Sequence, residues 1–196
     1  MTRSAPVRAL RRLALAAALL AAPASLAGQG HAAGTTTVVV VRHAEKAADD
    51  PQDPSLSPAG RERALALRDA LADAPVAAVY ATQFRRTRAT GEPLATRAGQ
   101  AVVVRPATAA NAATYARDLA AEILSRYRGR TVVVVGHSNT VPEIVRALSG
   151  KQVAPITDTE YDHLFVVQVP PSGPASLLRA RYGPPSAGAG GAGPMM

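Results

Sequence analysis

One seven-residue phrase occurs twice in this chain. Thr37-Val38-Val39-Val40-Val41-Arg42-His43 returns as Thr131-Val132-Val133-Val134-Val135-Gly136-His137. Each is a run of β-branched residues with no polar alternation, the pattern of a strand buried on both faces. A sheet covered on both faces needs helices on each side, so the phrase points to an α/β domain with a mostly parallel sheet. Each run stops at a histidine. In open α/β sheets the functional groups collect outside the carboxyl ends of the strands, which places both histidines where chemistry is expected.

The rest of the chain fits one such domain. Apolar residues make up 47% of the 196, but aromatics only 4%, so the core is expected to be built from Ala, Val and Leu. With no cysteine, disulfides, thiolate metal sites and cysteine nucleophiles are all excluded. Arg3, Arg8, Arg11 and Arg12 precede an apolar stretch from Leu13 to Ala22 and then small residues. That order reads as a signal peptide over 1–33, cleaved after Ala27 or Ala33, and hence as an exported, periplasmic protein. The apolar stretch is shorter than the roughly 20 residues of a membrane-spanning helix. Beyond residue 33 there are 18 basic against 14 acidic residues, without a clustered basic stripe. That balance suits an anionic small molecule, and few aromatics are present to stack on bases, so no nucleic-acid partner is expected.

Strand and helix patterns alternate over residues 34–182, the expected domain. A strand over 36–41 is followed by an Asp/Pro-rich loop and a helix opening at Ser57-Pro58, with Ser57 as N-cap and Pro58 at the first helical position. That helix is expected to run to about Asp73 with Leu65, Leu67 and Leu71 as its apolar residues. Further strands are expected at 76–81, 101–104 and 131–135, and further helices at 84–97 and 112–127. Thr140-Val141-Pro142-Glu143 reads as a capping box opening the next helix. Runs at 164–169 and 177–182 read as a closing hairpin. The Gly/Ala/Pro tail over 183–196 lacks the apolar residues to pack and is expected to be disordered.

The strand ends suggest a phosphate site. A phosphoryl group carries up to two negative charges on three equatorial oxygens, and arginine's planar fork binds two oxygens at once. Arg42 adjoins His43, and a second arginine cluster, Arg85, Arg86 and Arg88, follows the strand ending at Ala81. The helix starts that follow these strands favour anions. A neutral histidine can attack phosphorus covalently, and a second can stabilise the charge that develops. Arg61, Arg63 and Arg68 read as a solvated helix face, and His163 as structural.

Val41-Arg42-His43-Ala44-Glu45 and Gly136-His137-Ser138-Asn139 resemble the two signature motifs of the histidine phosphatase superfamily, the phosphoglycerate mutase-like proteins. Leu56-Ser57-Pro58-Ala59-Gly60 is similar to that family's Leu-Thr-x-x-Gly helix opening. The segment from Tyr80 to Thr90, with Glu92-Pro93-Leu94-Ala95 after it, resembles the second-arginine segment. The resemblance implies a three-layer α/β/α sandwich and hydrolysis of phosphomonoesters through phospho-His43. Arg42, Arg86 and His137 would complete the phosphate pocket, with no cofactor and no metal. The substrate would be a small-molecule or envelope-linked phosphate ester.

The chain departs from the family pattern at the leaving-group acid. One branch carries a glutamate after the third strand, where residues 105–117 here hold no carboxylate; another places an aspartate where this chain has Ser138. Glu45 is the first candidate by proximity, with Asp158 and Glu160 next, although Glu45 can equally pair with Lys46 or a nearby arginine. Two other readings compete. A serine hydrolase would use Ser138 with Asp158 and His163, but it leaves Arg42 and His43 unexplained. A degenerate member would bind phosphorylated ligands without turnover. A mutase is disfavoured because nothing in the length suggests a lid insertion.

Overall fold

The computed structural model describes Met1 and residues 34–186. The leader expected over 1–33 lies outside the described residues, apart from Met1. Among the described residues eleven elements follow in order: β1 (Thr36–Arg42), α1 (Pro58–Ala70), β2 (Val76–Ala81), α2 (Arg85–Arg97), β3 (Val102–Val104), a 3-10 turn (Ala109–Asn111), α3 (Tyr115–Arg126), β4 (Thr131–Gly136), α4 (Thr140–Ser149), β5 (His163–Val169) and β6 (Ser176–Arg181). The sheet order is β3-β2-β4-β1-β5-β6. β3, β2, β4 and β1 pair in parallel, while β5 and β6 add an antiparallel edge.

The repeated valine phrase explains this layering directly. Successive strand residues point to opposite faces. Val38, Val40, Val132 and Val134 accordingly join Leu119, Ile123, Ile144 and Leu148 of α3 and α4. Val39, Val41, Val133 and Val135 join Leu67 and Leu94 of α1 and α2 on the other face. The result is the expected three-layer α/β/α sandwich. The two phrases also lie side by side, Val38 opposite Val132 through Arg42 opposite Gly136, which brings their terminal histidines together.

Several local expectations need correction. In α1 the buried residues are Gly60, Arg63, Ala64 and Leu67, while Leu65 is exposed. Arg63 is thus not on a solvated face. It lies on the buried stripe, 2% exposed, donating to both Glu45 carboxylate oxygens and to the carbonyls of Tyr182 and Pro184. The chain after β6 is not disordered at its start either. Ser186 is buried, its hydroxyl accepting from the backbone N–H groups of Tyr161 and Asp162, so the domain reaches at least to residue 186. Polar partners, rather than apolar side chains, hold residues 183–186. The rest of the tail lies outside the described residues. Among the described residues, no helix is long and apolar enough to cross a membrane.

Candidate active site

A cavity of about 530 Å³ opens at the carboxyl ends of β1, β2 and β4. Its lining includes Arg42, His43, Arg86 and His137, so the structure brings all four expected residues to one cavity. The rings of His43 and His137 meet edge to face with centroids 5.3 Å apart. Backbone pairing sets this contact: the His43 N–H donates to the Gly136 carbonyl at 2.9 Å, one step past the last rung of the β1–β4 ladder.

Each histidine has a fixed orientation. His43 Nδ1 lies 2.8 Å from the Ala44 carbonyl oxygen. A carbonyl can only accept, so Nδ1 carries the proton and Nε2 keeps its lone pair, the state a nucleophile needs. His137 Nε2 stands 2.9 Å from the Thr82 hydroxyl, which in turn is 2.9 Å from that of Thr87. Phe84 meets the His137 ring edge-on. The His137 backbone N–H donates to the Thr140 hydroxyl at 2.8 Å. A Cβ on Gly136 would stand 2.8 Å from that hydroxyl, which is why glycine occupies the site where the other phrase has arginine.

Burial, foremost, holds the His43 pKa down to about 3 against the Ala44 bond that raises it, with further lowering by His137, Arg42 and Arg86. Burial and the same two arginines hold His137 down to about 4. Both rings are therefore neutral in the folded protein at pH values where they would be protonated in the unfolded chain, whose ordinary value is 6.5. The unfolded state then binds more protons, so stability falls as pH drops from about 6.5 towards 4. Urea unfolding of a His43→Asn/His137→Asn variant should show a flatter pH dependence across that window than the wild type. An unchanged slope would contradict the assigned protonation states.

The arginines are held from several directions. Arg42 NH1 donates to the carbonyls of Thr157 (2.5 Å) and Glu160 (3.0 Å), and its guanidinium lies over the Tyr161 ring at 4.3 Å. Arg86 lies over Phe84 at 4.3 Å, with Asp53 3.7 Å from its NH1. Asp53 also accepts from the Arg85 backbone N–H, so the first turn of α2 is partly capped from the loop and is less open to an anion than expected. Among the described residues, buried Nε of Arg42, and Nε and NH1 of Arg86, have no acceptor within hydrogen-bonding distance. Burial, followed by the charge of Arg42, lowers the Arg86 pKa against the pull of Asp53. Two desolvated guanidiniums in one cavity repel each other, and an anion between them relieves that repulsion. Arg85 and Arg88 are exposed, as expected.

The expected acid is not brought to the cavity. Glu45 turns away to Arg63, 2.6 Å from NH2, and is absent from the lining. Its backbone is pinned as well. The Glu45 carbonyl accepts from Ser57 N–H at 2.9 Å, and a Cβ on Gly60 would stand 2.2 Å from the same oxygen. This close approach is the physical reason for glycine in the Leu56–Gly60 helix opening. The Glu160 carboxylate accepts from Thr157 instead of facing the cavity. Asp158 does line it, fully exposed, 3.7 Å from Arg42 NH2.

Sequence reasoning missed a second carboxylate in the lining, Glu143. The capping box expected at Thr140–Glu143 does not form: the N-cap is Asn139, with no side-chain cap. The serine triad is not assembled either, because His163 stacks on Phe165 and pairs with Glu160. Among the described residues, no group of three or more His, Cys, Asp or Glu converges on a metal position.

Residues 38–110 match the family model of the histidine phosphatase superfamily, branch 1. The fold is that of a histidine phosphatase. Among solved structures, the protein histidine phosphatase SixA complexed with tungstate superposes with a TM-score of 0.56 at 17% identity, covering 74% of this chain and 96% of that one. A mycobacterial glucosyl-3-phosphoglycerate phosphatase superposes with a TM-score of 0.54 at 18% identity, covering 68% and 90%. A protein described as mycobacterial hydrolase 1 gives 0.56 at 18% identity, covering 73% and 96%. No curated protein sequence matches the chain. The part matched by the family model begins within β1 and ends in the 3-10 turn, so it contains His43, Arg42 and Arg86. His137 lies beyond it, and its place beside His43 rests on the β1–β4 register of this histidine phosphatase fold.

Proposed function

We propose that the protein is a metal-independent phosphomonoesterase working through a phosphohistidine on His43. The observation that carries this reading is the position of His43: a buried, neutral imidazole with its Nδ1 proton held by Ala44, in a cavity shared with two arginines and a second histidine. Nε2 attacks phosphorus, and the guanidinium N–H groups of Arg42 and Arg86 hold the phosphoryl oxygens as charge develops. His137 supports the same oxygens, and water then hydrolyses the phosphohistidine. The two guanidiniums supply the positive charge that a metal supplies in other phosphatases. The names of two structures of similar fold, a protein histidine phosphatase and a glucosyl-3-phosphoglycerate phosphatase, support the phosphatase part of this reading.

The cavity volume lies in the range of small-molecule sites, which favours a small phosphate ester over a nucleic acid. The leader pattern in residues 1–33 supports action outside the cytoplasm, on a soluble or envelope-linked ester. The mature protein should hydrolyse p-nitrophenyl phosphate in the presence of EDTA, and vanadate, which mimics pentavalent phosphorus, should inhibit it. Turnover that needs added divalent metal would contradict the proposal. Vanadate or phosphate binding without turnover would favour a phosphate-binding module.

A further inference from the structure

Glu143 has no assigned role in the reading above, yet it stands in the cavity. The motif that suggested a capping box explains why. Thr140 and Glu143 are three residues apart and so share one face of α4. Neither caps the helix, and both line the cavity, Thr140 with its hydroxyl on the His137 backbone. The Glu143 backbone is therefore about 5 Å further along the helix axis than that of Thr140. The neighbouring wall comes from the segment between β3 and α3 and from the start of α3, which packs against α4. That wall includes Ala107, Ala109, Ala112 and Ala116, short side chains that leave room for a longer one reaching in from α4.

Two carboxylates line the cavity, and their surroundings differ. Asp158 lies against Arg42, at the end of the site that holds phosphoryl oxygens. Glu143 has no such contact with the phosphate-binding arginines. Its partner is Arg146, in an exposed i,i+3 pair on α4, a kind of contact worth little and readily broken. Its side chain is about half exposed, so it can exchange protons with solvent between turnovers.

We propose that Glu143 is the proton donor to the leaving group, an assignment that rests on the phosphatase reading above. As His43 Nε2 forms its bond to phosphorus, the bond from phosphorus to the ester oxygen breaks with its electron pair on oxygen. The Glu143 carboxyl proton passes to that oxygen, releasing an alcohol. In the second step the Glu143 carboxylate takes a proton from the water that attacks phospho-His43. Inorganic phosphate leaves, and the acid is restored.

The test compares two esters. Benzyl phosphate has a strongly basic leaving group that must be protonated, whereas dinitrophenyl phosphate releases a stable anion. Glu143→Gln should lower kcat on benzyl phosphate by about 100-fold, the contribution typical of a general acid, and far less on dinitrophenyl phosphate. Glu143→Asp should recover part of the benzyl phosphate loss. Asp158→Asn should affect both esters alike. Glu143→Gln acting equally on both esters, or on neither, overturns the assignment, and a leaving-group-dependent loss in Asp158→Asn instead transfers the role to Asp158. Wild-type protein inactive on both esters overturns the phosphatase reading together with this one.

Discussion

Arg63→Met is expected to destabilise the fold by about 3 kcal/mol, the usual cost of removing one partner from a buried ion pair. Arg63 is 2% exposed, and its guanidinium joins α1 to two other pieces of chain: Glu45, just after His43, and the Tyr182 and Pro184 carbonyls beyond β6. Methionine fills much of the volume but leaves the Glu45 carboxylate and two carbonyls without their donor. For a domain of this size the loss corresponds to a fall in Tm of roughly ten degrees. The double variant Glu45→Leu/Arg63→Met should recover part of it, because no unpaired charge then remains. Urea denaturation measures both. A loss below about 1 kcal/mol for Arg63→Met would show that water replaces the missing donor.

His43→Ala is expected to lower kcat at least about a thousandfold, as removal of a covalent nucleophile does in other hydrolases. The fold should survive, because the bond that aligns this residue with β4 is made by its backbone N–H to Gly136, which alanine keeps. Far-ultraviolet circular dichroism and urea unfolding would confirm that. Binding of phosphate should persist through Arg42, Arg86 and His137. Free imidazole, placed in the space the side chain vacates, should restore part of the turnover. Residual activity near the wild-type level would remove His43 from the chemistry.

Much of this site was legible in the sequence because it is local. Valine runs that stop at histidine announce two buried strand ends, and Arg42 follows from adjacency. What escaped was long-range or ambiguous in period. Arg63 shares the i, i+3, i+4, i+7 stripe of Gly60, Ala64 and Leu67, a signal that was present but was overridden by its charge. The Arg42 clamp depends on carbonyls more than a hundred residues away, which no local pattern reveals. Thr140 and Glu143 satisfy the spacing of a capping box, and that spacing equally places two polar side chains on one face of a helix. Ser186 anchors the chain beyond β6 through hydrogen bonds to the loop that holds Arg42, so composition alone misjudged where packing ends.

The central claim is a covalent intermediate on one side chain. The most direct measurement mixes the protein with dinitrophenyl phosphate, unfolds it rapidly in alkali, where phosphohistidine survives, and maps the modified peptide by mass spectrometry. The account predicts one added phosphoryl group on His43, labile to acid and missing from His43→Ala. Turnover without any phosphorylated peptide, or a phosphoryl group on Ser138, would contradict it.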